Sequence, residues 1–212
     1  MRRFLFCALL AGLLGAGLRA APVCTPGSGI WNEGDDGEGD AGPTLASANN
    51  TIGTNPLTEI CGKLPDANVD MYAIMITGSP FTAVATGAAV NGLSEPTLYL
   101  FDSAGHGLDA AFNNSGTASL TVTGLTAGLY YLALASENRD PQNASHQLIF
   151  GTSTTPVVSD TVLKSWTGTG DSSGNYVITL RDAGFANLPE PGTFALIGVS
   201  LGLVGLVRKR AR

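Results

Sequence analysis

Apolar residues occur along the chain in short runs, and turns rich in Gly, Asp and Ser separate most of these runs. The segment Asn68–Thr77 is mostly apolar, with Met71, Ala73 and Met75 on one parity and Tyr72, Ile74 and Ile76 on the other, which is typical of a strand covered on both faces. No segment repeats its apolar residues at the helical period of about 3.6 residues. The pattern therefore predicts an all-β domain, an antiparallel, jelly-roll-like β-sandwich. The predicted strands are Asn68–Thr77, Phe81–Thr86, Thr97–Phe101, Ser119–Val122, Gly128–Ala135, His146–Phe150 and Tyr176–Leu180.

The N-terminal residues have the layout of a secretory signal peptide. Arg2 and Arg3 form a positive n-region, and Phe4–Leu18 is an apolar stretch. We expect a signal helix over Met1–Ala20 and cleavage by signal peptidase after Ala20, where small residues stand. The alternative is a retained N-terminal anchor.

The C-terminal residues combine a proline motif, an apolar run and a basic end. Pro189 and Pro191 end regular structure on either side of Glu190 and hold the backbone extended. Phe194–Val207 carries no charge but is shorter than the ~20 residues that span a bilayer comfortably. Arg208–Arg212 is expected to stay on the cytoplasmic side. The sequence therefore predicts a short transmembrane helix that makes a poor permanent anchor.

This layout closely resembles the PEP-CTERM sorting signal of Gram-negative bacteria. The resemblance implies recognition at Pro189-Glu190-Pro191 by exosortase, a membrane enzyme that removes the tail, with Arg208, Lys209 and Arg210 as the basic stop. It also implies transient insertion in the inner membrane, delivery to the cell surface or the medium, and a link to biofilm and exopolysaccharide. The alternative is an ordinary tail anchor preceded by a chance Pro-Glu-Pro.

Three segments of the body, taken in order, resemble the bacterial pre-peptidase C-terminal domain, a secreted β-sandwich. They are Val69–Tyr72, the Leu98–Gly105 segment that reads LYLFDSAG, and the Leu125–Leu132 segment that reads LTAGLYYL. The resemblance extends over Leu57–Leu180. It implies a sandwich fold and says nothing specific about chemistry.

The 212 residues divide into four parts. Residues 1–20 are the signal peptide, 21–56 an irregular, acidic, Gly-rich arm, 57–184 the sandwich, and 188–212 the sorting signal. The arm is expected to be irregular because it has little apolar periodicity and much Gly, Asn and Asp.

The charge of the body excludes nucleic acid as a partner. Between Ala21 and Leu188 lie sixteen of the seventeen acidic residues but only four basic residues. A body this acidic is repelled by phosphate backbones. Cations and neutral surfaces are the expected partners.

Cys7 lies within the expected signal peptide and would leave with it, so the mature chain would keep two cysteines. Cys24 and Cys61 form an even pair in an oxidising compartment, which predicts a disulfide between the arm and the sandwich. Free thiols or a metal site are the alternatives, and no further ligands accompany the pair.

One stretch of the arm is rich in carboxylates that suit a hard cation. Asp35, Asp36, Glu38 and Asp40 are interleaved with glycines and form a candidate Ca²⁺ site. The spacing is not that of an EF-hand, and a solvated linker is the alternative. The turn Asp102–Asp109 is a second candidate. No other cofactor is expected.

The neighbours of His106 and His146 predict a loop and the start of a strand, and both side chains are expected to be exposed or in turns. The chain contains no Gly-x-Ser-x-Gly elbow, His-Glu-x-x-His motif or phosphate-binding loop. We therefore expect no enzymatic activity.

Aromatic residues offer the last candidate surface. Trp31 and Trp166 could stack on sugar rings, whereas Tyr99, Tyr130 and Tyr131 lie in predicted strands and are expected in the core. The sequence thus favours an exported structural protein of the cell surface or extracellular matrix. The alternative is a secreted module that binds carbohydrate or Ca²⁺.

Overall fold

The structure is a computed structural model that describes residues 24–34, 39–113, 115–170 and 172–188. These ranges contain thirteen strands and no helix, so the all-β prediction is confirmed. The strands are β1 (Ile30–Asn32), β2 (Asn49–Asn50), β3 (Glu59–Leu64), β4 (Val69–Ile76), β5 (Phe81–Gly87), β6 (Pro96–Asp102), β7 (Gly107–Ala111), β8 (Thr117–Val122), β9 (Gly128–Ser136), β10 (Asp140–Gln142), β11 (Ser165–Thr167), β12 (Gly174–Arg181) and β13 (Ala183–Phe185).

The strands form two main sheets and one short hairpin. The first sheet has five strands in the order β1-β3-β12-β5-β8. The second has six, in the order β13-β4-β9-β6-β7, with β2 also beside β4. β10 pairs with β11 apart from both sheets. Because the chain passes repeatedly from one sheet to the other, neither sheet is complete without distant parts of the sequence.

The pairing is not wholly antiparallel, which corrects one part of the prediction. β1 runs parallel to β3, and β2 runs parallel to β4. Both parallel strands belong to the arm expected to be irregular over 21–56, and each is only two or three residues long. Strands this short lack room for an alternating pattern, so only their backbone pairing defines them.

Alternation along the strands of the second sheet divides its apolar residues between two faces. Leu98 and Leu100 of β6 belong to the interior between the sheets, whereas Tyr99 and Phe101 belong to a second apolar cluster. Ile149 and Phe150 complete this second cluster, and both are buried. The segment after β9 therefore covers the outer face of the second sheet. Because the strands of this sheet are covered on both faces, they carry apolar residues at both alternating sets of positions.

All of the predicted strands except one are present, with ends that differ by one or two residues. The exception is His146–Phe150, which is wrong. His146 has a positive φ of 57°, and the segment makes only an isolated bridge from Leu148 to Gln142. Its apolar side chains pack on the outer face of the second sheet, but its backbone does not add a strand to that sheet.

The predicted signal helix and transmembrane helix lie outside the described residues. Within the part of the chain that the structure describes, no helix has the length and apolar character that a membrane span requires.

Candidate functional site

Three carboxylates meet where the arm reaches one end of the sandwich. Asp70 lies in β4 on the same parity as Tyr72, so it points between the sheets. Glu33 follows β1 directly, and Asp40 lies seven residues further along the arm. One oxygen of each carboxylate lies within 4.8 Å of one oxygen of the others. We call Glu33, Asp40 and Asp70 the carboxylate cluster.

Two buried tyrosine hydroxyls stand beside the cluster. The Tyr176 hydroxyl of β12 donates to Oδ2 of Asp70 at 2.8 Å. The Tyr72 hydroxyl hydrogen bonds to the Glu33 carboxylate and also contacts the Tyr176 hydroxyl. Both side chains are fully buried. Each tyrosine hydrogen bonds to one carboxylate. Because Tyr72 belongs to the second sheet and Tyr176 to the first, the contact between their hydroxyls links the two sheets at the edge of the core.

Glu33 also fastens the arm to β3 through the backbone. Its Oε1 accepts from the amide of Ala41 at 2.8 Å, and its Oε2 accepts from the amide of Lys63 at 3.0 Å. Gly62 makes this approach sterically allowed, because a Cβ at that position would lie 2.6 Å from Oε2 of Glu33 and closer still to the Tyr176 hydroxyl. The carboxylate therefore replaces backbone pairing where β1 ends.

Burial dominates the electrostatics of the cluster. It raises the pKa of Asp70 well above the usual range, and the charge of Glu33 raises that pKa further, against the hydrogen bond from Tyr176. Burial also raises the pKa of Glu33, although the amides of Ala41 and Lys63 oppose the change. Among the described residues, no Lys or Arg nitrogen forms an ion pair with these carboxylates. Relative to the unfolded chain, folding therefore raises the pKa of both carboxyls, and burial is the largest cause in each case.

The tyrosines themselves stay neutral. Burial raises the pKa of Tyr72 and of Tyr176 well above the usual range, and the neighbouring carboxylates raise both further. Neutral hydroxyls are hydrogen-bond donors, which is the role they have here.

The predicted Ca²⁺ residues are only partly described. Asp35, Asp36 and Glu38 lie outside the described residues, whereas Asp40 is exposed and accepts from Nδ2 of Asn68 at 3.0 Å. Carboxylates suit Ca²⁺, but this ion takes about six to eight oxygen ligands. Within the described part of the cluster, the oxygens of Glu33 and Asp70 already accept hydrogen bonds from the protein.

The predicted disulfide is present and confirmed. Cys24 and Cys61 are bonded with a Cα–Cα distance of 6.0 Å. The bond joins the arm to β3 next to the β1–β3 pairing, where Asn32 faces Cys61. The alternatives of free thiols or a cysteine metal site do not apply to bonded sulfurs.

The turn proposed as a second cation site is closed by its own hydrogen bonds. Asp102 Oδ1 accepts from the amides of Ala104 and His106, each at 2.9 Å, and Oδ2 lies 3.0 Å from Nδ1 of His106. Partial burial raises the pKa of Asp102, but these bonds prevail and lower it below the usual value. The carboxylate of Asp102 is therefore a turn cap.

Both histidines are exposed, as predicted, although His146 does not begin a strand. His106 contacts Asp102, and the backbone carbonyl of His146 accepts from Nε2 of Gln142. In the described ranges, no Ser, Thr or Cys side chain hydrogen bonds to either imidazole.

The tyrosines lie in strands and mostly in the core, as predicted, whereas the suggestion that Trp31 stacks on sugar rings is wrong, because its side chain is buried. Tyr99 and Tyr130 are buried, and Tyr131 is half-buried against the second cluster. Trp31 is buried as well, and Nε1 of Trp166 donates to the carbonyl of Pro43 at 2.6 Å. Both tryptophans therefore have structural roles.

The carboxylate cluster was missed by sequence reasoning. The one available signal was an acid at an inward position of a strand that is otherwise apolar, namely Asp70 two residues before Tyr72. Nothing in the pattern connects that position to Glu33, because the contact depends on the path of the arm.

No protein-family model matches the chain, and no curated protein matches it at a significant level. The sorting motif of Pro189, Glu190 and Pro191 and the basic stop of Arg208, Lys209 and Arg210 lie outside the described residues.

Proposed function

We propose that the chain is a non-enzymatic, exported structural protein of the cell surface or extracellular matrix of a Gram-negative bacterium, sorted by an exosortase. Its localisation follows from a signal peptide at one end and a Pro-Glu-Pro sorting tail at the other. Its role is to supply a rigid β-sandwich to a biofilm or exopolysaccharide matrix.

The Cys24–Cys61 disulfide is the observation that carries the export proposal. Disulfides persist in oxidising compartments and are rare in the cytosol. The bond also fixes the N-terminal arm, which is the first part of the chain after the expected signal cleavage site. Once formed, the bond constrains the unfolded chain and so stabilises the domain.

The end of the folded domain supports the assignment of the tail. The amide of Leu188 donates to Oδ1 of Asn50 at 2.9 Å, and Asn187 exchanges two hydrogen bonds with the backbone of Gly53, each 3.0 Å long. The fold is thus tied down through Leu188, and the Pro189-Glu190-Pro191 motif follows directly in the sequence. This junction suits removal of a tail without damage to the domain.

The resemblance of the body to the pre-peptidase C-terminal domain, and with it the jelly-roll-like form of the sandwich, is part of the same proposal. The three matching segments contribute to β4, to β6 with its turn, and to β9. These strands are neighbours, since β9 pairs with both β4 and β6. Pieces that are separate in sequence therefore build one continuous surface.

Fractionation of cells tests the sorting proposal. In a host with an active exosortase, the protein is expected outside the cell without its tail. Deletion of the exosortase, or Glu190→Ala, should leave the tail attached and the protein in the inner membrane. Glu137→Ala, which changes an exposed acid of the domain, is the matched control and should sort normally. Equal release from hosts with and without exosortase would contradict the proposal.

A further inference from the structure

Phe112 stands between two open clefts on the side of the sandwich. It follows β7 directly and is half-buried. Its side chain lines one cleft of about 430 Å³ and another of about 360 Å³. Both volumes fall in the range of about 300–1,000 Å³ that is usual for ligand sites. We call the two together the Phe112 cleft.

The larger part of the cleft has an aromatic floor and polar walls. Tyr99 holds Phe112 from below, with ring centroids 6.4 Å apart at an angle of 84°. The Tyr99 hydroxyl donates to Oδ1 of Asp140 at 3.0 Å, which fixes the ring and the carboxylate together. Glu137, also in the wall, is exposed, as is Leu148 at 36%. The half-buried phenyl ring therefore lines the same cleft as two carboxylates, those of Glu137 and Asp140.

The smaller part of the cleft lies between the edge strands of the two sheets. Small side chains of β7, Ala110 and Ala111, line it on one side, and Thr117 and Ser119 of β8 line it on the other. Thr154 adds a further hydroxyl. This part is therefore mainly apolar with three hydroxyls, and Phe112 belongs to its lining as well as to that of the larger part.

The chemistry of the walls selects among extended ligands. An aromatic face packs against the C–H face of a sugar ring, and carboxylates and threonine hydroxyls accept and donate hydrogen bonds to sugar hydroxyls. The described lining contains Glu137 and Asp140 but no Lys or Arg. An anionic polymer would therefore be repelled by the walls. Two adjoining clefts around one ring suit a chain of several sugar units.

We propose that the Phe112 cleft binds a neutral polysaccharide, with one sugar ring stacked on Phe112 and its neighbours in the clefts on either side. The inference rests on the proposed matrix role for its biological setting and names the class of polymer that the protein holds. The binding itself does not require the sorting tail, so the two proposals fail separately: fractionation of cells tests one and binding by the purified chain tests the other.

Isothermal titration calorimetry with the purified full chain tests the proposal. The probes are cellohexaose, laminarihexaose and dextran as neutral ligands, and oligogalacturonate as an anionic one. At least one neutral probe is expected to bind, and oligogalacturonate is not. Phe112→Ala should weaken the binding about tenfold or more, because it removes the stacked ring. Val90→Ala truncates another exposed apolar side chain, 69% exposed, and should bind like the wild type.

A second variant keeps the test decisive if Phe112→Ala does not fold. Ser119 is exposed on β8. Ser119→Phe should fill the smaller cleft and abolish binding of the hexamers while leaving the thermal midpoint of unfolding unchanged. The proposal is overturned if no neutral probe binds at millimolar concentration, if both variants bind like the wild type, or if oligogalacturonate binds as tightly as the neutral probes.

Discussion

Removal of the Cys24–Cys61 disulfide should destabilise the domain through its unfolded state. The bond closes a sequence separation of 37 residues and links the arm to β3. In the folded state the same junction is also held by the β1–β3 pairing and by the amide of Cys24, which donates to Oδ1 of Asn32 at 3.1 Å. We therefore expect the double variant Cys24→Ala/Cys61→Ala to fold with the arm in place.

The loop length sets the magnitude. In the chain-entropy account, closing a loop of this length removes enough freedom from the unfolded chain to contribute about 4 kcal/mol near room temperature. Total stabilities of domains are about 5–15 kcal/mol, so the loss is a large fraction of the whole. Because Cys61 is only 1% exposed, its truncation adds a smaller packing loss.

Urea unfolding followed by circular dichroism measures the effect. With a slope of about 2 kcal/mol/M, the midpoint should fall by about 2 M. The slope itself should rise, because an unfolded chain without the cross-link exposes more surface. Reductant should lower the midpoint of the wild type and leave the variant unchanged, which is the internal control. A loss of less than about 1 kcal/mol with an unchanged slope would refute the reasoning.

Three further predictions concern buried polar contacts. Since the raised pKa of Asp70 means that the folded state holds its proton more tightly than the unfolded state, its contribution to stability is full below about pH 4 and is lost as pH rises through the folded pKa. The free energy of unfolding of Asp70→Asn, measured by urea titration at several pH values, should therefore rise relative to that of the wild type as the pH increases. The control Asp66→Asn changes an exposed carboxyl and should show no such rise. Gly62→Ala should cost about 1–3 kcal/mol by the same assay, because the added Cβ meets the Tyr176 hydroxyl; a neutral effect would contradict the packing described. Asn143→Ala should cost about 1–3 kcal/mol, because the buried side chain accepts from two amides of its turn; calorimetric melting checks this, and an unchanged midpoint would count against it.

The central strands could be predicted because they are long and covered on both faces. Val69–Ile76 and Gly128–Ser136 pair along their whole lengths, and their apolar runs show them in the sequence. The shortest strands paired to distant segments could not be predicted. β1, β2 and β13 have two or three residues each, and their backbone partners lie far away in the chain.

The prediction of a strand over His146–Phe150 is wrong because an apolar pattern does not show whether the backbone pairs with a sheet. Ile149 and Phe150 are as apolar as a strand requires, but a buried side chain can pack over a sheet without joining it. Asn143 starts a turn that places them there, and a sequence pattern does not separate a strand from a covering loop.

Of the candidate site, only the disulfide next to it could be predicted from the sequence. The count of cysteines and the expected compartment sufficed for the disulfide. The carboxylate cluster joins Glu33 of the arm to Asp70 of β4, and Tyr176 of β12 completes it. Three segments far apart in the chain meet there, so the cluster follows from the topology of the sheets and from no local motif.

Export with processing at both ends is the central claim, and intact-mass spectrometry of the protein from its native host tests it most directly. The account predicts a mature chain that begins at Ala21, has lost the apolar run and basic end that follow the Pro189-Glu190-Pro191 motif, and lacks two hydrogen atoms because Cys24 and Cys61 are joined. Recovery of the unprocessed chain from the cytosol, with Phe194–Arg212 attached and both thiols free, would contradict it.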